Sequence, residues 1–289
     1  VSEIVTTAEG FGLSCTRTGK GDSLLLGLHG GPGGGGGGYL EPLHRLAGDD
    51  RTVVTFDQLG TGESTVPPPD YQWTVEKAAA DVEAVRAHYG VDQVELLGHS
   101  WGGMLALEYA LTFPGRVSRL VLSNTGASVP RVVTEYFRQL IDLLPPRDAA
   151  AALTADLLGD HGNPQFTTAV TRWLAAYATA GEETAEVLDS GPAGTGLWGD
   201  RLWFATAALR DWDVEDRLGE IAVPALVIHG GRDMSTVDVN RVMAEGIPDC
   251  EWITLQRGGH DLVDEPCVGA YLAILGAFLD GWNDKEETG

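Results

Sequence analysis

Positive charge is scarce in this chain: 19 Lys and Arg stand against 42 Asp and Glu over 289 residues, a formal net charge of −23. Nucleic acids and anionic membranes are held by basic patches, so the deficit argues against both as partners. A solvated acidic surface is the favoured account of the excess, beside an acidic mouth that attracts a cationic substrate and an adaptation to high salt. Cysteine is scarce too. Cys15, Cys250 and Cys267 are odd in number and widely scattered, which excludes a disulfide framework and a zinc site and fits free thiols in a reducing cytoplasm. None lies in a pattern that suggests a nucleophile. Long apolar runs are missing: the longest, around Ala270 to Leu279, is too short to span a bilayer and carries glycine. The start, Val1-Ser2-Glu3-Ile4-Val5, lacks a basic segment followed by an apolar one, so no signal peptide is expected and the location is read as cytoplasmic. No internal repeat stands out. A hydrophobic content of 43% excludes a disordered chain.

What is present is an alternation of short apolar runs with helical patterns. A hairpin is expected over residues 1–18, breaking at Glu9-Gly10-Phe11-Gly12, and Ser23–Leu28 reads as an inner strand. Strands follow at Thr52–Phe56, Val94–Leu97, Val117–Leu122, Ala225–Ile228 and Glu251–Leu255. Between them lie a short helix near Tyr39–Leu46, one capped by Thr74 and running to about Tyr89, and others at Trp101–Phe113, Val237–Ala244 and Pro266–Trp282. This rhythm predicts a mostly parallel, doubly wound α/β sheet. It breaks between Ala127 and Arg210, where Arg131–Leu144, Asp148–Leu158, Pro164–Thr179 and Leu197–Arg210 all read helical. The expected organisation is a core of residues 1–126 and 213–289 with an inserted helical cap over 127–212. A polar tail, Asn283–Gly289, closes the chain.

Two stretches carry chemistry. Gly98-His99-Ser100-Trp101-Gly102 fits Gly-x-Ser-x-Gly between a strand and a helix, the turn that lifts a nucleophilic serine above a sheet. Its glycines are needed because a Cβ on either side would meet the neighbouring strand or helix. His29-Gly30-Gly31-Pro32-Gly33, directly after a strand, reads as a loop whose bare backbone N–H groups approach a ligand, with Gly34–Gly38 as filler.

A serine hydroxyl needs a base, and the base an orienting acid. Chain order after such a turn is acid, then histidine. Asp233 follows the Ala225–Ile228 strand and His260 follows the last one, so both reach the sheet edge that holds Ser100. The rivals are weaker. His229 at a strand end reads as structural, His99 points away from the reaction, and Asp211, Asp213 and Asp216 lie in the acidic hinge after the cap. The loop after Leu122 offers Ser123-Asn124 and no carboxylate. The expected triad is therefore Ser100, Asp233 and His260. The oxyanion of the attacked carbonyl would be met by the N–H groups of Trp101 and Gly31, each worth about 3–4 kcal/mol, with Pro32 stiffening the loop. A neutral histidine base implies activity that falls below about pH 6.5.

His29-Gly30-Gly31-Pro32-Gly33, Asp57-Gln58-x-Gly60-x-Gly62-x-Ser64, Gly98-x-Ser100-x-Gly102-Gly103 and Asp211-Trp212-Asp213 together resemble the proline iminopeptidase branch of the α/β-hydrolases. The resemblance covers nearly the whole chain. It implies the α/β-hydrolase fold with an inserted helical cap, and a cytoplasmic serine hydrolase with neither cofactor nor metal. The activity implied is release of small N-terminal residues, often proline, from peptides or amides. A small molecule or short peptide is then the expected partner, and the oligomeric state stays open.

In one respect the chain departs from that branch. Its members are similar in holding the substrate ammonium with one glutamate in the cap and one directly after the triad aspartate. Here the cap stretch is Trp198-Gly199-Asp200-Arg201-Leu202-Trp203-Phe204, and Met234 follows Asp233. An ammonium buried against leucine and methionine would be uncompensated; Asp200 or Asp238 are the available substitutes. Gly30, Trp198, Leu202, Trp203 and Met234 are accordingly the expected substrate-binding residues, in a cap whose aromatics also include Trp173, Phe204 and Trp212. Two further readings stand beside an amidase: an esterase, lactonase or acyl-transferring cyclase for a less polar substrate, and a ligand receptor or lyase.

Overall fold

Leucine- and valine-rich runs of five to seven residues form eight strands in the computed structural model, which describes residues 1–34, 36–177, 191–264 and 266–281. They are β1 Ser2–Thr6, β2 Gly12–Thr18, β3 Ser23–Leu28, β4 Arg51–Phe56, β5 Val94–His99, β6 Val117–Ser123, β7 Ala225–Gly230 and β8 Cys250–Leu255. The sheet order is β1-β2-β4-β3-β5-β6-β7-β8. β1 and β2 form the expected antiparallel hairpin and β2 also runs antiparallel to β4, while all later pairs are parallel. A parallel sheet must be covered on both faces, which is why β5 and β7 are buried along their whole length.

One face packs against α1 (Val75–His88), α2 (Trp101–Thr112) and α7 (Val237–Gly246) through Ala79, Val82, Val85, Leu105, Val239 and Met243. The other is covered by a 3-10 helix, Gly37–Leu46, and by α8 (Val268–Leu279), through Leu40, Leu43, Tyr271, Leu275 and Phe278. Thr74 caps α1 as expected, its hydroxyl accepting from Lys77 N at 3.2 Å. Because β3, β4, β5, β6, β7 and β8 are parallel, the loops that follow them open on one edge of the sheet, the usual place for a site in such folds.

Between β6 and β7 lie α3 (Val129–Leu143), α4 (Pro146–Leu158), α5 (Pro164–Tyr177) and α6 (Gly191–Leu197). α3 to α5 share a buried cluster of their own, with Leu140, Phe166, Val170, Trp173 and Trp203 at its centre. The ends of this insertion are pinned together. Val129 N donates to Trp212 O and Val214 N to Ala127 O, both at 2.9 Å, and Ser128 Oγ donates to Asp213 Oδ2 at 2.8 Å.

Most elements fall within a few residues of expectation, but Leu197–Arg210 is no helix. α6 ends at Leu197, and the chain turns at Gly199 with φ +111°, where a Cβ would lie 2.0 Å from Thr206 Oγ1. Thr206 N and Ala207 N both donate to Trp198 O, at 2.7 and 3.2 Å. The loop is then anchored by Asp156 of α4, wholly buried, which accepts from Leu202 N at 3.0 Å and Trp203 N at 2.8 Å. Side-chain acceptors here replace the helical ladder. Residues 178–179 of the expected α5 and the expected C-terminal end, Trp282 and the tail, lie outside the described residues. Among the described residues, no helix is long and apolar enough to cross a membrane.

Asp156 also receives His161 Nε2 at 3.0 Å. Replacing it with alanine would strand two backbone donors, and Asp156→Ala is expected to destabilise the protein by about 3 kcal/mol in urea unfolding. His161→Ala, which removes one hydrogen bond and the stacking of a partly exposed ring on Phe166 but strands no backbone donor, is expected to cost less.

Candidate active site

The turn after β5 holds Ser100 at φ 55°, ψ −123°, a conformation that costs a non-glycine residue about 1–3 kcal/mol. It is held from both sides. Ser100 N donates to Ser123 O of the neighbouring strand at 3.0 Å, and Ser100 O accepts from Thr125 Oγ1 at 2.7 Å. The flanking glycines have no room for a side chain: a Cβ on Gly98 would lie 2.1 Å from Gly102 O, and one on Gly102 2.2 Å from Leu28 O. Backbone thus meets backbone on both sides of the serine.

The three loops expected to meet do so. His260 Nδ1 lies 2.6 Å from Asp233 Oδ1, and His260 Nε2 lies 3.0 Å from Ser100 Oγ. Asp233 is buried, with 3% of its surface exposed, whereas Ser100 and His260 remain partly open. Since the carboxylate can only accept, Nδ1 carries the proton and Nε2 offers its lone pair to the serine hydroxyl. In that tautomer the ring can take the serine proton, and the buried carboxylate steadies the imidazolium that results.

Asn124, set aside in the sequence for lacking a carboxylate, fastens the triad loops to each other. It adopts φ 48°, which asparagine tolerates better than most residues. Its Oδ1 accepts from Gly230 N at 3.0 Å, ahead of Asp233, and its Nδ2 donates to Gly259 O at 3.2 Å and to His260 O. The only sequence signal was an asparagine one residue past a strand end, which also fits a plain turn.

The glycine-rich loop is equally constrained. His29 is fully buried; its Nδ1 donates to Gly30 O at 2.7 Å and its Nε2 accepts from Gln58 N at 3.0 Å. Gln58 Nε2 donates to His29 O at 2.8 Å, and its Oε1 accepts from the indole of Trp101 at 2.7 Å. One glutamine therefore connects the two segments that carry the Gly31 and Trp101 N–H groups. Burial pushes the His29 pKa down from 6.5 to about 4, so the ring stays neutral at ordinary pH. Asp57 braces the loop's far end, accepting from Gly37 N at 2.7 Å and Glu63 N at 2.8 Å. Gly30 is buried against the serine, where a Cβ would stand 2.9 Å from Ser100 Cβ.

The rival residues have structural partners. His229 is buried, its Nδ1 3.0 Å from Gly230 O and its Nε2 2.9 Å from Thr254 Oγ1. Asp211 pairs with Arg210 at the surface, and Asp213 closes the base of the insertion. Asp200 pairs with Arg201 and Asp238 with Arg241 and Arg138, all in exposed positions.

Of the expected substrate-binding side chains, Trp203 needs correction. It is wholly buried, packed edge to face on Phe166 and Trp173, and belongs to the core of the inserted helices because the Asp156 anchor draws its backbone inward. Trp198 and Leu202 are only partly buried. Met234 turns towards α3: its Sδ accepts from Tyr136 Oη at 3.6 Å and its carbonyl from Gln139 Nε2 at 2.7 Å. Burial, and then the charge of Asp233, raises the Tyr136 phenol pKa, which places that ring in the field of the acid. Among the described residues, no group of three or more His, Cys, Asp or Glu could hold a metal ion.

Two outcomes are expected. Asn124→Ala frees two loops at once, and misplacement by a fraction of an ångström costs reactivity steeply; the rate of Ser100 phosphonylation in the folded protein should fall by about tenfold or more, alongside a lower urea midpoint because the buried Gly230 N–H loses its acceptor. An unchanged rate would show that Asn124 does not position the triad. His29 is neutral when folded down to about pH 4 but protonates near 6.5 when unfolded. The unfolded chain therefore binds the extra proton between those values, and stability falls as pH drops from 6.5 towards 4. The stability lost is about 3 kcal/mol, and the gap between wild type and His29→Gln should narrow by that amount between pH 7 and pH 4.

The chain is similar in sequence and fold to known proteins. Residues 24–266 match the family model described as alpha/beta hydrolase fold. The chain is 36% identical over 265 residues to the proline iminopeptidase of Levilactobacillus brevis, covering 88% of this chain and 87% of that one. It is 31% identical to the proline iminopeptidase of Saccharolobus solfataricus, over 89% of this chain and 84% of that one. Among solved structures it is similar to proline iminopeptidase from Mycobacterium smegmatis, with a TM-score of 0.83, 26% identity, and coverage of 97% of this chain and 98% of that one. It is also similar to VinJ, with a TM-score of 0.85, 25% identity and the same coverage. The chain belongs to the α/β-hydrolase family, on its proline iminopeptidase branch, and is a hydrolase enzyme of that family.

Proposed function

We propose that the protein is a cofactor-free serine hydrolase that cleaves an amide bond in a small peptide or metabolite through an acyl-enzyme. The observation that carries this reading is the chain of contacts from Ser100 through His260 to Asp233, at 3.0 and 2.6 Å. Ser100 Oγ attacks the carbonyl carbon as His260 Nε2 takes its proton, and Asp233 holds the ring and stabilises its charge. The carbonyl electron pair moves to oxygen, where the N–H groups of Trp101 and Gly31 receive it. Collapse expels the amine, which leaves with the proton from His260. Water then attacks the acyl-Ser100 ester by the same route in reverse roles, releasing the acid and the free serine.

The catalytic residues of this reading are Ser100, Asp233 and His260, with Gly31 and Trp101 as the oxyanion hole. Residues 127–212 act as a cap over a core of 1–126 and 213–289, a division supported by the pinned base at Ser128 and Asp213. Trp198, Leu202 and Met234 are the substrate-facing candidates, and the protein works in the cytoplasm. The relatives named proline iminopeptidase support an amine-bearing substrate. A specific observation favours a second reading, an esterase, lactonase or acyl transferase: the residue after Asp233 presents a thioether engaged by Tyr136 where an ammonium would require a carboxylate.

A fluorophosphonate probe should label the wild type and not Ser100→Ala, and the substitution should lower kcat by at least about 10⁴-fold. Labelling that survives the substitution would refute the mechanism. Prolyl and alanyl amides, their N-acylated forms and aryl esters divide the two readings. A strong preference for free-amine amides favours the aminopeptidase; equal or better turnover of N-acylated amides or esters favours the second.

A further inference from the structure

We propose that Tyr39 and His99 are positioning residues, forming one directional hydrogen-bond relay that holds the oxyanion loop and the base loop in register across the back of Ser100. The proposal rests on the reading of Ser100, His260 and Gly31 given above. His99 precedes the nucleophile, and Tyr39 lies on the 3-10 helix after the glycine-rich loop. His99 Nε2 is 2.8 Å from His260 O, His99 Nδ1 is 2.7 Å from Tyr39 Oη, and Gly30 N is 2.5 Å from Tyr39 Oη.

Each proton in this chain is assigned by the one before it. A carbonyl oxygen only accepts, so Nε2 of His99 carries the hydrogen. A neutral imidazole then has a bare Nδ1, which must accept, so the Tyr39 hydroxyl donates to it. The phenol oxygen in turn accepts from Gly30 N. Burial lowers the His99 pKa, and the neighbouring His260 ring, 4.9 Å away between centroids, lowers it further; Asp261, 3.5 Å from Nε2, and Asp233 act in the opposite direction. A neutral His99 is what the relay requires, since a protonated one would have two donors and nothing to accept the tyrosine proton.

The consequence falls on both halves of the reaction. The peptide that carries the Gly31 N–H has its carbonyl, Gly30 O, held by His29, while the N–H on the preceding peptide is held by Tyr39. With both neighbours fixed, the Gly31 N–H has one direction available. At the other end the His260 carbonyl is clamped between His99 and Asn124, which sets the height of the imidazole over Ser100. Space is as limited as direction: a Cβ on Gly30 would lie 3.1 Å from Tyr39 Oη and 3.2 Å from His99 Nδ1.

Tyr39→Phe removes the hydroxyl and keeps the ring, with its edge-to-face contact on His99 at 5.4 Å between centroids. Steady-state kinetics on an aryl ester test the relay with Tyr39→Phe, His99→Gln and the double variant, with unfolding midpoints alongside. Glutamine at position 99 can still donate to His260 O but no longer offers the imidazole acceptor to Tyr39. Each single variant should lower kcat by about tenfold, one hydrogen bond's worth of alignment, with KM within about twofold of wild type. The double variant should lose no more than about twofold beyond the worse single, because both break the same link. A Tyr39→Phe enzyme with wild-type kcat, or a double variant whose losses multiply to about a hundredfold, would overturn the relay. Were Tyr39→Phe to fold poorly, unchanged kcat in His99→Gln would overturn it as well. Retention of activity by Ser100→Ala would instead overturn the triad reading, so the two failures are distinguishable.

Discussion

The left-handed backbone at Ser100 is the constraint on which the rest of the site depends. A serine at φ 55° costs about 1–3 kcal/mol, and the turn persists because its surroundings leave no alternative. Ser123 bonds to it from the adjoining strand and Thr125 from the loop that follows, and Gly98 and Gly102 admit helix and strand backbone to within a distance that no side chain could share. The parallel sheet supplies the remaining requirement. Six of its strands run parallel and deliver their following loops to one edge, so residues far apart in sequence converge there.

At that edge, neutral histidines act as directional connectors. His29, His99 and His229 are all buried, burial lowers the pKa of each, and each has both ring nitrogens engaged. A neutral imidazole has one donor and one acceptor, so it imposes direction on a loop without adding charge. Positive charge so close to His260 would oppose formation of its imidazolium. The net charge of −23 is carried elsewhere, largely by exposed carboxylates. The acidity of the chain and the chemistry of its site are therefore separate matters.

How much of this could be read beforehand depended on whether the signal was local. Apolar runs bounded by glycine mark the strands because parallel strands are buried on both faces, and Gly-x-Ser-x-Gly identifies its turn because the glycines answer a local clash. Asp233 and His260 were legible from chain order and loop position alone. Asn124, Tyr39 and His99 were not, since their roles consist of bonds to backbone atoms of distant loops, and nothing in their types marks those partners. Leu197–Arg210 misled for a related reason. Ala205 and Leu209 are buried four residues apart, a spacing that suits a helix, yet the segment is organised by Gly199 and by a carboxylate on α4, which periodicity does not report.

The residue after Asp233 links the triad loop to the inserted helices. Met234 is bonded by two residues of α3, and Gln139, which takes its carbonyl, in turn accepts from the buried indole of Trp173 on α5 at 2.7 Å. A continuous path thus runs from the core of the inserted helices to the acid of the triad. Placing a carboxylate at position 234 would set a second negative charge beside Asp233 and opposite the Tyr136 phenol, whose deprotonation is already opposed by burial. Such a carboxylate would be compensated only with a substrate ammonium seated against it. A thioether carries no such debt, and its contact with Tyr136 needs no ligand charge to compensate it. On the second reading proposed above, a thioether in place of a carboxylate would suit substrates recognised by shape and apolar contact, since a buried ammonium needs a compensating charge.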